Sequence, residues 1–267
     1  LSSRRPTIVI CGNHDTNLNN NNRLDALTPI IEAGKFPNLF YLRNTGVYGI
    51  GDIAFSVMSL LDPADQYITY DKIDASKYKH VIAMYHGTVM NSKVDSGMTL
   101  SHGIGLDTFI GFDHVLLGDI HRRQVLNKTW YEDVNGVEVK HPSLWYVGSL
   151  VQQNFGESFE GHGYALLDLT SKDCTPAFYD IPNDYGFYTL GVDSGVLPDN
   201  LPITSKTNVR LQVKNTSPAD LKRVLATLRK EYKSSDVLVQ KLDKSSETEG
   251  AQLFGTSLQQ ADIRNIQ

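Results

Sequence analysis

The chain has little cysteine: among 267 residues only Cys11 and Cys174 carry a thiol. Two thiols cannot make a disulfide framework. Cys11 closes a hydrophobic run and reads as a buried thiol, which suits a reducing compartment, cytoplasm or nucleus. Positive charge is not in surplus either. The 25 Lys and Arg residues face 30 Asp and Glu, a net charge of −5. That excludes a generally polycationic nucleic-acid binder but leaves room for a local basic patch. No apolar run reaches the ~18 residues a membrane-spanning helix needs, and no secretory leader is legible, so no membrane partner is expected. An initiator Met is missing. "LSSRRP" leads straight into a core-like run, and the true N-terminus is expected upstream. No internal repeat is evident.

What is present is a series of short apolar runs, each ended by Gly, Asn, Asp or Pro. "TIVIC" (7–11), "LFYL" (39–42), "IAFSVMSL" (53–60), "HVIAMYH" (80–86), "HVLLGD" (114–119), "LWYV" (144–147) and "YALLDL" (164–169) read as strands. Several are apolar on both faces and should be central strands of covered sheets. "TPIIEAG" predicts a short helix with Thr28 as N-cap, Pro29 at the first helical position and Gly34 as its stop. The fold class is α/β with two packed sheets.

The chain is long enough for more than one core. Residues 1–181 read as the main domain. Residues 182–205, rich in Gly, Pro and Asp, read as a connection. Residues 206–243 then form a compact β-α-β unit. In its helix Ser217 can cap, Pro218 takes the first position, and Leu221, Val224, Leu225, Leu228 and Tyr232 make one apolar stripe. Residues 244–267 are polar and are expected to be poorly ordered.

Four polar stretches stand at the ends of apolar runs: Gly12-Asn13-His14-Asp15, Tyr85-His86-Gly87, Gly118-Asp119-Ile120-His121 and Gly148-Ser149. Sheets of α/β proteins build their sites at such strand ends. A divalent metal takes imidazole, carboxylate and amide oxygen, and Asn13, His86, Asp119 and His121 supply that set. In "DIH" one residue separates two ligands, which in extended chain puts them on the same face. A lone strand-end His is more often a hydrogen-bonded surface residue, and His80, His141 and His162 read that way. His102 and His114 are left out of the site. "GNHD" alone could be a simple turn. Three such pieces, in order and each closing a buried strand, argue for a site.

GNHD, then a strand-end His, then G-[HD]-x-H resembles the calcineurin-like metallophosphoesterase family, which implies two metal ions on a two-sheet α/β sandwich. "HVLLGDIHRRQ…WYVGSLVQQNFGE…HGYALLDL" looks like the SbcD-type DNA repair nucleases within it, and the β-α-β unit is similar to that group's small α+β capping domain. The similarity runs from about residue 6 to residue 243. It implies a Mn²⁺- or Mg²⁺-dependent DNA exo- or endonuclease subunit that works as a homodimer with an SbcC-type coiled-coil ATPase. By resemblance, Asn13, His86 and Asp119 bind one ion, His121 binds the other, His14 is the general acid and Asp15 orients a neighbouring His. Asp119 replaces the commoner His of this family. The family's D-x-H and Gly-Asp motifs, which precede GNHD, have no counterpart before Gly12, so the chain is expected to be a fragment with most ligands of one ion missing, and nearly inactive by itself. A DNA substrate would use Arg122 and Arg123 for phosphates, and Ser149, Gln152, Gln153 and Asn154 for neutral hydrogen bonds. Lys222, Arg223, Arg229 and Lys230 would line a phosphate-tracking helix face. Two other readings stay open. One is a phosphatase or small-molecule phosphodiesterase of the same superfamily. The other is a catalytically degenerate DNA-binding scaffold.

Overall fold

The computed structural model describes residues 2–20, 23–234 and 237–242, and the chain divides into two units, Leu1–Asn183 and Asp184–Gln267. The first unit carries, in order, β1 (Thr7–Val9), α1 (Leu27–Gly34), β2 (Leu39–Tyr41), β3 (Gly46–Ile50), β4 (Ile53–Met58), β5 (His80–His86), β6 (His114–Gly118), β7 (Gln124–Asn127), β8 (Trp130–Val134), β9 (Val137–His141), β10 (Ser143–Tyr146), β11 (Gly163–Leu166) and β12 (Ala177–Asp180). A six-stranded sheet has the order β3-β4-β5-β6-β10-β7. Its four inner strands run parallel, and β3 and β7 close the two edges antiparallel. The expectation of central strands covered on both faces holds. Every residue of β10 is buried, as are Val81, Ile82 and Ala83 of β5 and Val115 of β6. Tyr85, Phe109, Phe112, Leu117 and Tyr146 fill one continuous core with Val81, Ala83, Val115 and Leu144. Parallel strands lined by Val, Ile and Leu on both sides stay buried because neither face can be left to water.

Three two-stranded pairs complete this unit: β1–β2 parallel, β8–β9 antiparallel and β11–β12 antiparallel. The described architecture is thus mixed α/β, with many strands in several sheets and two α-helices. β8–β9 turns at Asn135 and Gly136, both at positive φ (56° and 80°), the Asn-Gly signature of a tight hairpin.

Helix α1 departs from its sequence reading. It starts at Leu27, and Thr28 does not cap it. Asp25 takes that role: its Oδ1 accepts from the backbone N–H groups of Leu27 (3.1 Å) and Thr28 (2.8 Å). The Tyr41 hydroxyl and Arg43 Nε donate to the same carboxylate at 2.8 and 2.7 Å. Burial alone would raise the Asp25 carboxyl, but these donors, Arg43 foremost, hold it well below the usual carboxylate range. Gly34 lies in the last turn, and Lys35, at φ 44°, makes the left-handed exit instead.

The second unit is a parallel sheet of order β13-β14-β15, with β13 (Phe187–Asp193), β14 (Asn208–Lys214), helix α2 (Pro218–Glu231) and β15 (Val237–Lys241). The expected connection over 182–205 is therefore corrected. Residues 187–193 pair along the whole of β14, and Leu201 and Ile203 are buried in the same cluster as Leu190 and Val192. Strand pairing along β14 and apolar burial outweigh the turn-rich composition of this stretch. The capped helix is as expected: Ser217 Oγ accepts from the Asp220 N–H at 3.1 Å, and Pro218 is at N1. Val224 and Leu228 are buried, with Leu221, Leu225 and Tyr232 packed beside them. Each full burial of this kind is worth about 1.5–3 kcal/mol. The polar tail 244–267 lies outside the described residues. Among the described residues no helix is long and apolar enough to cross a membrane.

Candidate metal centre

β5 and β6 lie side by side, with His86 opposite Gly118. Their C-terminal ends therefore deliver His86 and Asp119 to neighbouring points. Glycines on either side make this close approach possible. A Cβ on Gly118 would stand 2.6 Å from His86 Nδ1, and one on Gly12 would stand 3.0 Å from His86 Cε1. Asn13 arrives from elsewhere, on the single 3₁₀ turn Asn13–Asp15 that follows β1. The Gly12 N–H donates to Asp15 Oδ2 at 2.8 Å and closes that turn.

Three of the four expected ligands meet. Asn13 Nδ2 donates to Asp119 Oδ1 at 3.0 Å, Asn13 Oδ1 lies 3.3 Å from His86 Nε2, and His86 Nε2 lies 4.0 Å from Asp119 Oδ1. Ligand atoms sharing one cation with bonds of about 2.1 Å stand roughly 3–4 Å from one another. The separations of His86 Nε2 from Asn13 Oδ1 and from Asp119 Oδ1, 3.3 and 4.0 Å, fall in that range. Among the described residues no three His, Cys, Asp or Glu side chains gather into a metal-holding group.

Burial lowers the His86 pKa, partly offset by the charges of Asp119 and Asp15. The ring is therefore neutral near pH 7, the form that donates a lone pair. Asp119 sits at φ 93°, a left-handed conformation that a non-glycine residue rarely adopts. Thr88 Oγ1 reaches its other oxygen at 3.5 Å. The segment carrying Thr88 is tied down by buried Tyr146, whose hydroxyl donates to the Gly87 carbonyl at 2.7 Å and accepts from the Val89 N–H at 2.9 Å.

His121 does not join the trio. Its Nδ1 lies 2.7 Å from Glu157 Oε1. Asp119, His121, Asn154 and Glu157 line one cleft of about 290 Å³. Glu157 is the residue that sequence reasoning missed. It stood in the "VQQNFGE" run with no periodicity to mark it. His14 is exposed, beside Asn13 on the same turn. Asp15 bonds the Gly12 backbone rather than a His ring, which corrects its expected role.

The expected DNA contacts divide. Arg122 is exposed, with Nη1 3.3 Å from the Val94 carbonyl. Arg123 is not a free phosphate contact: it pairs with Asp180 at 2.7 Å and its guanidinium stacks 4.9 Å over the Phe178 ring. Ser149 and Gln152 are buried. Ser149 Oγ bonds His162 Nδ1 at 2.8 Å, and Gln152 Nε2 donates to the Glu157 carbonyl at 3.1 Å. These two hold the loop together and cannot meet a substrate. Asn154 is exposed but donates to Glu157 Oε1 at 2.6 Å, while Gln153 is exposed with its backbone N–H on Glu157 Oε2 at 2.8 Å. The three histidines read as surface residues also divide. His80 and His162 are buried, and His141 stacks on Trp130 with ring centroids 3.8 Å apart.

No protein-family model matches the chain. The chain is similar to an uncharacterised protein, R555, of Acanthamoeba polyphaga mimivirus, with 37% identity over 255 residues, which is 92% of this chain. The matched region is 17% of that protein, so the chain spans about a sixth of this relative's length.

Proposed function

We propose that the first unit is a divalent-cation-dependent phosphoesterase that cleaves DNA, a calcineurin-like metallophosphoesterase of the SbcD type. One observation carries the reading: Asn13 and Asp119, 106 residues apart in sequence, meet at 3.0 Å with His86 beside them. An imidazole and a carboxylate at adjoining strand ends, met by an amide from a third segment, are a donor set that suits Mn²⁺ or Mg²⁺. In that family's sandwich, the six-stranded sheet would be one layer and the β1–β2 pair would belong to the other.

Bound divalent cations would polarise the phosphodiester and activate a water for in-line attack. The chain's own residues do the rest. Asn13, His86 and Asp119 would hold the ion at the open end of the sheet. Exposed His14, on the same turn as Asn13, gives its proton to the departing oxygen. Exposed Arg122 draws the polyanionic substrate.

The test is Mn²⁺-dependent digestion of linear double-stranded DNA by the full-length protein. His14→Ala should cut the rate at least ~100-fold and leave the bound Mn²⁺ unchanged. Wild-type protein that cleaves no DNA with Mn²⁺ contradicts the reading, and so does loss of Mn²⁺ in His14→Ala.

A further inference from the structure

The geometry assigns Glu157 as a positioning residue that fixes His121 in one tautomer, Nδ1–H, with its Nε2 lone pair left for the cleft.

Four observations carry this. First, Glu157 is an acid where an acid is costly. Its side chain is only 4% exposed. A buried carboxylate needs donors, and this one has three: His121 Nδ1 at 2.7 Å and Asn154 Nδ2 at 2.6 Å on Oε1, and the Gln153 N–H at 2.8 Å on Oε2. Second, its loop is closed rather than adaptable. The Gly163 N–H donates to the Ser149 carbonyl at 3.2 Å, Ser149 Oγ bonds His162 Nδ1 at 2.8 Å, and His162 Nε2 bonds the Ser158 carbonyl at 2.8 Å. Third, the loop is pressed onto the segment after β6. The Ser149 N–H donates to the His121 carbonyl at 3.0 Å, and a Cβ on Gly148 would stand 2.7 Å from that same oxygen. Carboxylate and ring are thus held at both backbones. Fourth, an ionised carboxylate can only accept, so His121 Nδ1 must donate. In the neutral ring Nε2 is then the acceptor, and the described residues give it no hydrogen-bond partner while the ring remains 33% exposed.

A histidine held in this way presents a lone pair of fixed direction and raised basicity, which a cation or an acidic substrate proton can use. In this one step, the use to which Nε2 is put, the inference rests on the proposed function. The tautomer itself does not.

The experiment is long-range ¹H–¹⁵N correlation of the histidine rings in the metal-free chain near pH 7.5, with the His121 signals assigned by their loss in His121→Ala. Wild type is expected to show His121 as Nδ1–H. Glu157→Gln keeps a carbonyl acceptor and should keep that tautomer. Glu157→Ala should shift the ring towards Nε2–H. Adding Mn²⁺ alone should then broaden His86 in every variant. A wild-type His121 found as Nε2–H overturns the assignment. So does a folded Glu157→Ala whose tautomer is unchanged, the result expected if Glu157 only stabilises the loop. Should Glu157→Ala fail to fold, the wild-type and Glu157→Gln spectra still decide. Failure of Mn²⁺ to broaden His86 would sink the proposed cation site, while a wild-type Nδ1–H tautomer would still support Glu157 as the residue that orients His121.

Discussion

Strands β5 and β6 carry histidines and acids at both of their ends, and the two ends behave differently. At the start, His80 and His114 lie buried with their rings 6.2 Å apart. Among the described residues neither nitrogen of His80 has a hydrogen-bond partner, and Cys174 Sγ is 3.7 Å from His114 Nε2. Asp113 beside them is buried and is neutralised by Lys140 at 3.5 Å, Lys172 at 3.4 Å and the Val81 N–H at 2.9 Å. At the other end, His86 and Asp119 are a fifth to a quarter exposed, face each other across two glycines, and are met by an amide from a third segment. The same residue types make a closed, packed end and an open, convergent end. What separates them is access and convergence. Residue type alone does not distinguish them.

Losing a side chain at one end should not have the effect of losing one at the other. Asp119→Ala at the open end should lower Mn²⁺-dependent DNA cleavage at least ~100-fold, about 2.7 kcal/mol, with little change in melting temperature. His114→Leu at the closed end should leave cleavage within about twofold. Initial rates beside thermal melts would check both, and equal losses of activity would erase the distinction.

Acid sharpens it next. Burial, then Lys140, lowers the His114 pKa, with Asp113 acting against them and His80 with them. Its folded value therefore lies below its unfolded value of about 6.5. The unfolded chain binds the extra proton, so stability is complete above about pH 6.5 and is lost as pH falls towards the folded value, at up to ~1.4 kcal/mol per unit. His86 shifts the same way. Denaturant melts from pH 7.5 to pH 5 should show this slope, and His114→Leu should reduce it without abolishing it. An unchanged slope in the variant would contradict the closed end as described.

Backbone changes at the open end are expected to be smaller. Gly118→Ala places a methyl group 2.6 Å from His86 Nδ1, so it should displace the ring and weaken Mn²⁺ about tenfold, read by calorimetry. Asp119→Gly should remove the ligand yet relieve the φ of 93°, adding about 1 kcal/mol of stability. A destabilised glycine variant would show that Asp119 serves the fold.

The legibility of the molecule follows from the same physics. β4, β5, β6 and β10 were readable because strands covered on both sides must be apolar throughout. β8 was missed because all five of its residues are exposed, although "VNGV" carried the hairpin signal. β13 was missed because its "FYTLGVD" sits among Gly, Pro and Asp, and only pairing along β14 orders it. In the candidate site, Asn13, His86 and Asp119, which the structure brings together, were picked out because each follows an apolar run. Glu157 was not, because its burial depends on a loop that closes through Ser149 and His162. Arg123 was readable as a cation, but its pairing with Asp180, 57 positions on, could not be seen in sequence.

Asn13, His86 and Asp119 are proposed to hold one divalent cation. Calorimetric titration of Mn²⁺ into the metal-free chain tests it most directly, with wild type, Asn13→Ala, His86→Ala and His114→Leu run side by side. The account predicts about one ion per chain for wild type and His114→Leu, with affinity at least ~100-fold weaker in Asn13→Ala and His86→Ala. Equal Mn²⁺ affinity in all four proteins would contradict it.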